Sequence, residues 1–246
     1  MRDNTDQIFG IRATIEAIRS GKEINKVLIR KGLKGELFHE LYEEVKEHQI
    51  PFQIVPAERF NKISNKNHQG VITLVSPITY YQLEDILPGI FESGKIPFLL
   101  MLDKVNDVRN FGAIARTAEC SGVDAIIISA KGSASINADA VKTSAGALHH
   151  IPVCREKDLK KTIHLLQESG IVVMAATEKA EDLYFKKDLT VPLAVMMGSE
   201  EKGIAWDYLR LTDGSLSIPI NGNIESLNVS AATAILCYEV VRQRIQ

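Results

Sequence analysis

Cysteine is scarce in this chain: Cys120, Cys154 and Cys237 lie far apart in apolar contexts, matching neither a paired disulfide framework nor a metal-ligand spacing. All three are expected to be buried thiols. Long apolar runs are missing as well. No stretch approaches the roughly 20 apolar residues of a membrane span, and the opening "MRDNTDQIFG" lacks a signal-like apolar core. A cytoplasmic location without a membrane partner is the expectation. Nor is there an excess of one charge: the formal net charge of −2 argues against a general polyanion binder, though it can hide local patches. One such patch lies in residues 19–34, where Arg19, Lys22, Lys26, Arg30, Lys31 and Lys34 face a single acid, Glu23. Charge alone leaves it open whether this is a solvated helix end and loop or a contact for a polyanion.

What is present is ordinary globular composition, 45% hydrophobic and 24% charged, in a length that allows one large or two small domains. The first third alternates helix and strand signals: an amphipathic run over residues 12–20, "KVLI", the helical "GELFHELYEEVKEHQ", "FQIV", another short helical stretch, then "GVITLVS". That alternation predicts a small α/β sandwich over residues 1–76. The proline- and glycine-bearing "SPITYYQLEDILPGIFESGKIP" reads as a connector around one short helical pattern, placing a linker at 77–95. Over residues 96–246 the runs "FLLMLD", "AIIIS", "VVMAAT", "LAVMMG" and "LSIPI" alternate with helix-length amphipathic segments. They predict a buried, mostly parallel sheet with helices on both faces. Ligands of such sheets collect beyond the carboxyl ends of the strands.

Three turns there carry polar residues: "KVNDVRNFG" after the first strand, "SEEKG" after "LAVMMG", and "NGNIESLN" after "LSIPI". Familiar nucleotide signatures fail. No G-x-G-x-x-G follows a strand, and Gly198 with Gly203 makes only half a P-loop, because Ile204 and Ala205 stand where Lys and Ser/Thr would be needed. No G-x-S-x-G elbow is present. His149 and His150 lack metal spacing and are expected to flank the strand "IPVC".

The set "NFGAIARTAECSG", "MMGSEEKG" and "IPINGNIESLNVSAATAIL", in that order, resembles the three motifs of the SpoU family of RNA ribose 2′-O-methyltransferases. "IFGIRATIEAI" and "NHQGV" resemble the small substrate-binding domain of its ribosomal-RNA branch. The resemblance implies an α/β catalytic domain tied in a trefoil knot, S-adenosylmethionine as cofactor without metal, 23S ribosomal RNA as partner with a guanosine as target, and a homodimer. Gly198, Ile218 and Leu227 would line the cofactor pocket. Asn110, Arg116, Glu200, Ser226 and Asn228 match the polar catalytic positions. Lys26, Arg30, Lys31 and Lys34 would then bind RNA.

Methyl transfer from a sulfonium leaves a neutral thioether, so the reaction needs chiefly a positioned and partly deprotonated ribose hydroxyl. A guanidinium is almost never a free base at neutral pH. Arg116 is therefore read as an anchor for the adjacent phosphate and a stabiliser of the developing alkoxide. Glu200 would hold Asn110 or Arg116 in place, and Ser226 and Asn228 would orient the hydroxyl or the cofactor. Glu201 is a local departure, an acid where many members carry a small residue. A tRNA-directed enzyme of the same family and a non-catalytic RNA-binding module are the competing readings.

Overall fold

The structure, a computed structural model, describes residues 7–58, 60, 67–130 and 132–245. They fall into two compact units, one within Met1–Thr79 and Ser135–Ala138, the other within Tyr80–Ala134 and Asp139–Gln246.

The first unit holds β1 (Gln7–Phe9), α1 (Ile11–Arg19), β2 (Ile24–Arg30), α2 (Glu36–Glu47), β3 (Phe52–Val55) and β4 (Val71–Val75). The sheet order is β1-β4-β2-β3, with β4 antiparallel to both neighbours and β2 parallel to β3. Ile11, Ile15 and Ile18 recur at helical spacing on α1 and pack with Leu41 and Val45 of α2 over Val27, Ile29 and Val71. Leu28, Val55 and Ile72 cover the other face with Phe60. This is the expected α/β sandwich; the short helical pattern between β3 and β4 lies largely outside the described residues. "NHQGV" forms a tight turn in which Gly70, at φ +83, donates its N–H to His68 Nδ1 at 3.0 Å. The His68 ring in turn sits edge-on to Phe60, centroids 4.7 Å apart. A register shift between Ile24 and Lys26 turns buried Asn25 toward the carbonyl of Ile136, which accepts from its Nδ2 at 2.6 Å.

The second unit is built on β5 (Tyr80–Tyr81), β6 (Phe98–Leu102), β7 (Ala125–Ser129), β8 (Val153–Glu156), β9 (Val172–Ala176), β10 (Leu193–Met197) and β11 (Gly214–Leu216). The order is β11-β9-β10-β6-β7-β8-β5, and every pairing is parallel. Its helices are α3 (Leu83–Glu92), α4 (Val108–Cys120), α5 (Ala138–Thr143), α6 (Leu159–Glu168), α7 (Trp206–Leu209) and α8 (Val229–Arg244). All five residues of β6 are buried, which a strand with side chains alternating between faces achieves only when both faces are covered. Leu83 and Leu87 of α3 and Leu159, Ile163 and Leu166 of α6 cover Leu99 and Met101. On the opposite face Arg244 of α8 lies 5.4 Å from the Phe98 ring, and α8 packs along α4.

Three details differ from the sequence expectation. Residues 77–95 do not merely connect: Tyr80 and Tyr81 pair with β8, and α3 buries Leu83 and Leu87 in the second core. The strand expected at "LSIPI" ends at Leu216, before Pro219, which has no N–H to give to a ladder. Cys120 is exposed, because it closes α4 on the side turned away from Ala115 and Ala118. Cys154 and Cys237 are buried, and burial pushes both thiols up to about 12.

Candidate active site

Strands β6, β7 and β8 step away from β6 in one direction, while β10, β9 and β11 lie on its other side. The order therefore reverses between β6 and β10, the place where ligands of open parallel sheets bind. The turns after these two strands are built by local rules. Asp107 caps α4, its Oδ1 accepting from the N–H groups of Arg109 and Asn110 at 2.8 Å each, and this fixes Asn110 in the first turn. After β10, Ser199 and Gly203 exchange backbone hydrogen bonds of 3.1 and 2.8 Å, closing the turn that carries Glu200. A Cβ on Gly198 would lie 2.1 Å from Gly203 C and 2.3 Å from Ile204 N. Those are backbone atoms, so only glycine fits. Asp103, buried at the end of β6, holds both ends of this loop: its N–H donates to Met197 O at 2.8 Å and its Oδ2 accepts from Ala205 N at 2.9 Å.

Asn228 supplies the third corner. It caps α8, its Oδ1 accepting from Ser230 N at 3.0 Å, while its Nδ2 donates to Asn110 Oδ1 at 3.0 Å and to Glu200 Oε1 at 2.5 Å. Asn110 Nδ2 donates to the same Glu200 oxygen at 3.1 Å. Three turns far apart in sequence thus meet in one hydrogen-bonded triangle. Of the two partners considered for Glu200, the structure gives it Asn110. Arg116, six residues further along α4, points about 120° away round the helix and is exposed, with no side-chain partner among the described residues. Ser226 is exposed and stands outside the triangle.

Next to the triangle lies a cavity of about 330 Å³ whose wall includes Gly198, Ile218 and Leu227 together with Glu200 and Ser226. Its size falls within the range of small-molecule sites. Met197, Leu216 and Val229 give it apolar surface, and its charged lining combines the carboxylates of Glu178, Glu200, Glu201 and Glu225 with the ammonium groups of Lys179 and Lys202, so it can receive a ligand that carries both signs of charge. The turn after β9, Thr177 to Lys179, also lines it. Sequence reasoning passed over that turn, although the rule of carboxyl strand ends would have found it, and it passed over Asp103 as well.

In the first unit the structure gathers Arg30, Lys31 and Lys34, all exposed, where β2 ends. Half-buried Lys26 sits four residues back on the strand, about 13 Å away. Arg19 does not belong to the patch: it pairs with Glu40 at 2.9 Å and Glu44 at 2.6 Å of α2, acids that the linear run could not show.

The model of the SpoU rRNA Methylase family matches residues 97–238, and a model described as RNA 2′-O ribose methyltransferase substrate binding matches residues 7–81. A protein of Staphylococcus haemolyticus (strain JCSC1435) assigned to the TrmH family of tRNA/rRNA methyltransferases is 34% identical over 239 residues, covering 97% of this chain and 96% of that protein. Among solved structures, the SpoU methyltransferase AviRb from Streptomyces viridochromogenes in complex with the cofactor AdoMet superposes with a TM-score of 0.62 at 22% identity, over 97% of this chain and 90% of that one. The AdoMet-bound rRNA methyltransferase from Sinorhizobium meliloti gives 0.61 at 24%, over 98% and 89%. These two likenesses show the shared fold.

Proposed function

Since the chain belongs to the SpoU rRNA methylase family, we propose that it transfers the methyl group of S-adenosylmethionine to the ribose 2′-hydroxyl of a guanosine in 23S ribosomal RNA. The observation that carries this reading is the Asn110–Glu200–Asn228 triangle beside a cavity of fitting size and charge. Gly198, Ile218 and Leu227 would hold the cofactor, which would supply an electrophilic methyl group. The chain's task is to present the hydroxyl. Asn110 and Asn228 fix Glu200 from two sides, leaving its second oxygen and the second Nδ2–H of Asn110 to receive the ribose. Ser226 adds a hydroxyl on the cavity wall. Arg116 anchors the neighbouring phosphate and stabilises the alkoxide as it forms, and the proton leaves to that phosphate or to water.

The substrate-binding model on residues 7–81 supports a first unit that selects RNA through Lys26, Arg30, Lys31 and Lys34, with residues 96–246 performing the chemistry. An added N-terminal domain favours ribosomal RNA; the relatives' name embraces tRNA as well, which is the second reading. We further propose that the C-terminal chain is knotted, that the protein acts in the cytoplasm, and that it forms a homodimer. Arg116, which does not line its own chain's cavity, would then serve the partner's site. Light scattering should give twice 27.2 kDa; a stable monomer removes the shared site. For the substrate, nucleosides from a strain lacking the protein are compared with wild type by mass spectrometry. Loss of one 2′-O-methylguanosine from large-subunit RNA is expected, and loss confined to tRNA would select the second reading.

A further inference from the structure

Six arginines lie in the second unit, and most have structural partners. Arg155 lies 4.0 Å over the Tyr80 ring, Arg242 pairs with Glu239 at 2.8 Å, and Arg244 donates to four backbone carbonyls. Arg210 lies in the field of Asp207, beside the Lys160–Asp207 pair. That leaves Arg109 and Arg116. Both are exposed on α4, and neither side chain has an ion pair or hydrogen bond among the described residues. Seven residues apart, they fall within about 20° of each other round the helix and about 10.5 Å apart along it. The residue between them on this stripe is Ala113, too short to stand between two guanidiniums. Of the nearby acids, Asp107 is engaged with the α4 backbone, Glu200 is held by the two asparagines, and Glu119 forms no ion pair among the described residues. Arg109 also adjoins Asn110, a corner of the triangle.

We propose that Arg109 is a second RNA-backbone contact: with Arg116 it forms a two-point track along α4 that grips phosphates on both sides of the nucleotide whose ribose Arg116 serves. The track rests on the RNA-methyltransferase reading above. A pair of unpartnered guanidiniums in line suits phosphate oxygens, which each can take two at a time, and carries no base preference of its own. Arg109 is thus assigned to holding the strand, and Arg116 to the reacting ribose as well.

The test measures binding of full-length wild type, Arg109→Ala and Arg109→Lys to an unmodified 23S ribosomal RNA transcript, and separately to a tRNA transcript, across KCl concentrations, with methyl-transfer kinetics alongside. Arg109→Ala should lower kcat/KM for RNA roughly five- to thirtyfold, carried by KM. It should flatten the salt slope by about 0.7, the value for neutralising one single-stranded phosphate. Cofactor affinity should stay within about twofold, which also reports an intact fold, and Arg109→Lys should recover the slope. An unchanged slope and KM in Arg109→Ala, or a loss confined to kcat, would overturn the track. A wild-type protein that binds no S-adenosylmethionine would overturn the functional reading instead, and the salt slopes would still decide the track.

Discussion

Asn228 shows how much one residue can carry. In sequence it is an ordinary helix cap, and the structure keeps that role through its Oδ1 while its Nδ2 joins Asn110 and Glu200. The two roles separate by substitution. Aspartate caps a helix as well as asparagine does, so Asn228→Asp should lose less stability in urea than Asn228→Ala, its loss coming from repulsion of the exposed Glu200 and not from the cap. Methyl transfer should nevertheless fall sharply, because a carboxylate now faces Glu200. Asn228→Ala should lose both activity and about 1 kcal/mol of stability. Equal stability losses in the two variants would mean the triangle is not separate from the cap. Arg116 divides differently: Arg116→Ala should lower kcat on the order of a hundredfold or more with cofactor affinity within a few fold by calorimetry. Arg116→Lys should also be poor, since a point charge cannot reproduce the planar fork. Near-full activity in the lysine variant would reduce the role to simple charge.

Among the elements, α8 sets the site at its first turn and is anchored at its last. Arg244 donates to the carbonyls of Ile96 at 2.7 Å, Pro97 at 3.1 Å, Leu189 at 3.2 Å and Val191 at 2.7 Å, tying the helix end to the chain entering β6 and β10. Arg244→Ala should destabilise the protein by about 2–4 kcal/mol in urea titration, as several carbonyls lose a charged donor together. A change below about 0.5 kcal/mol would show that water replaces it freely. The strands of this unit were legible in sequence because buried parallel strands are short apolar runs, and the three polar turns were legible because such runs end in them. The partners of those turns were not. Ala205 meets Asp103 across 102 residues, and Arg19 meets Glu44 across 25; no local pattern encodes such pairs. Cys120 departs from the expected burial for a related reason: apolar neighbours in sequence do not settle which side of a helix a residue takes.

For the whole molecule, a net charge of −2 means that affinity for RNA must come from local cations. Replacing Lys26, Arg30, Lys31 and Lys34 with Ala should weaken RNA binding and flatten its salt slope by about 0.7–0.9 for each phosphate left without its cation. Cofactor binding should be untouched. Because RNA is also recognised by shape and unpaired bases, some slope should remain. An unchanged slope would return the patch to the solvated loop that charge alone equally allowed. The central claim, that this chain methylates a ribose hydroxyl of RNA, is tested most directly with purified protein, methyl-labelled S-adenosylmethionine, chelator and an unmodified 23S ribosomal RNA transcript, followed by digestion and nucleoside mass spectrometry. The label is expected in 2′-O-methylguanosine. Label on a base, or none in either this transcript or tRNA above a heat-inactivated control, would contradict the account.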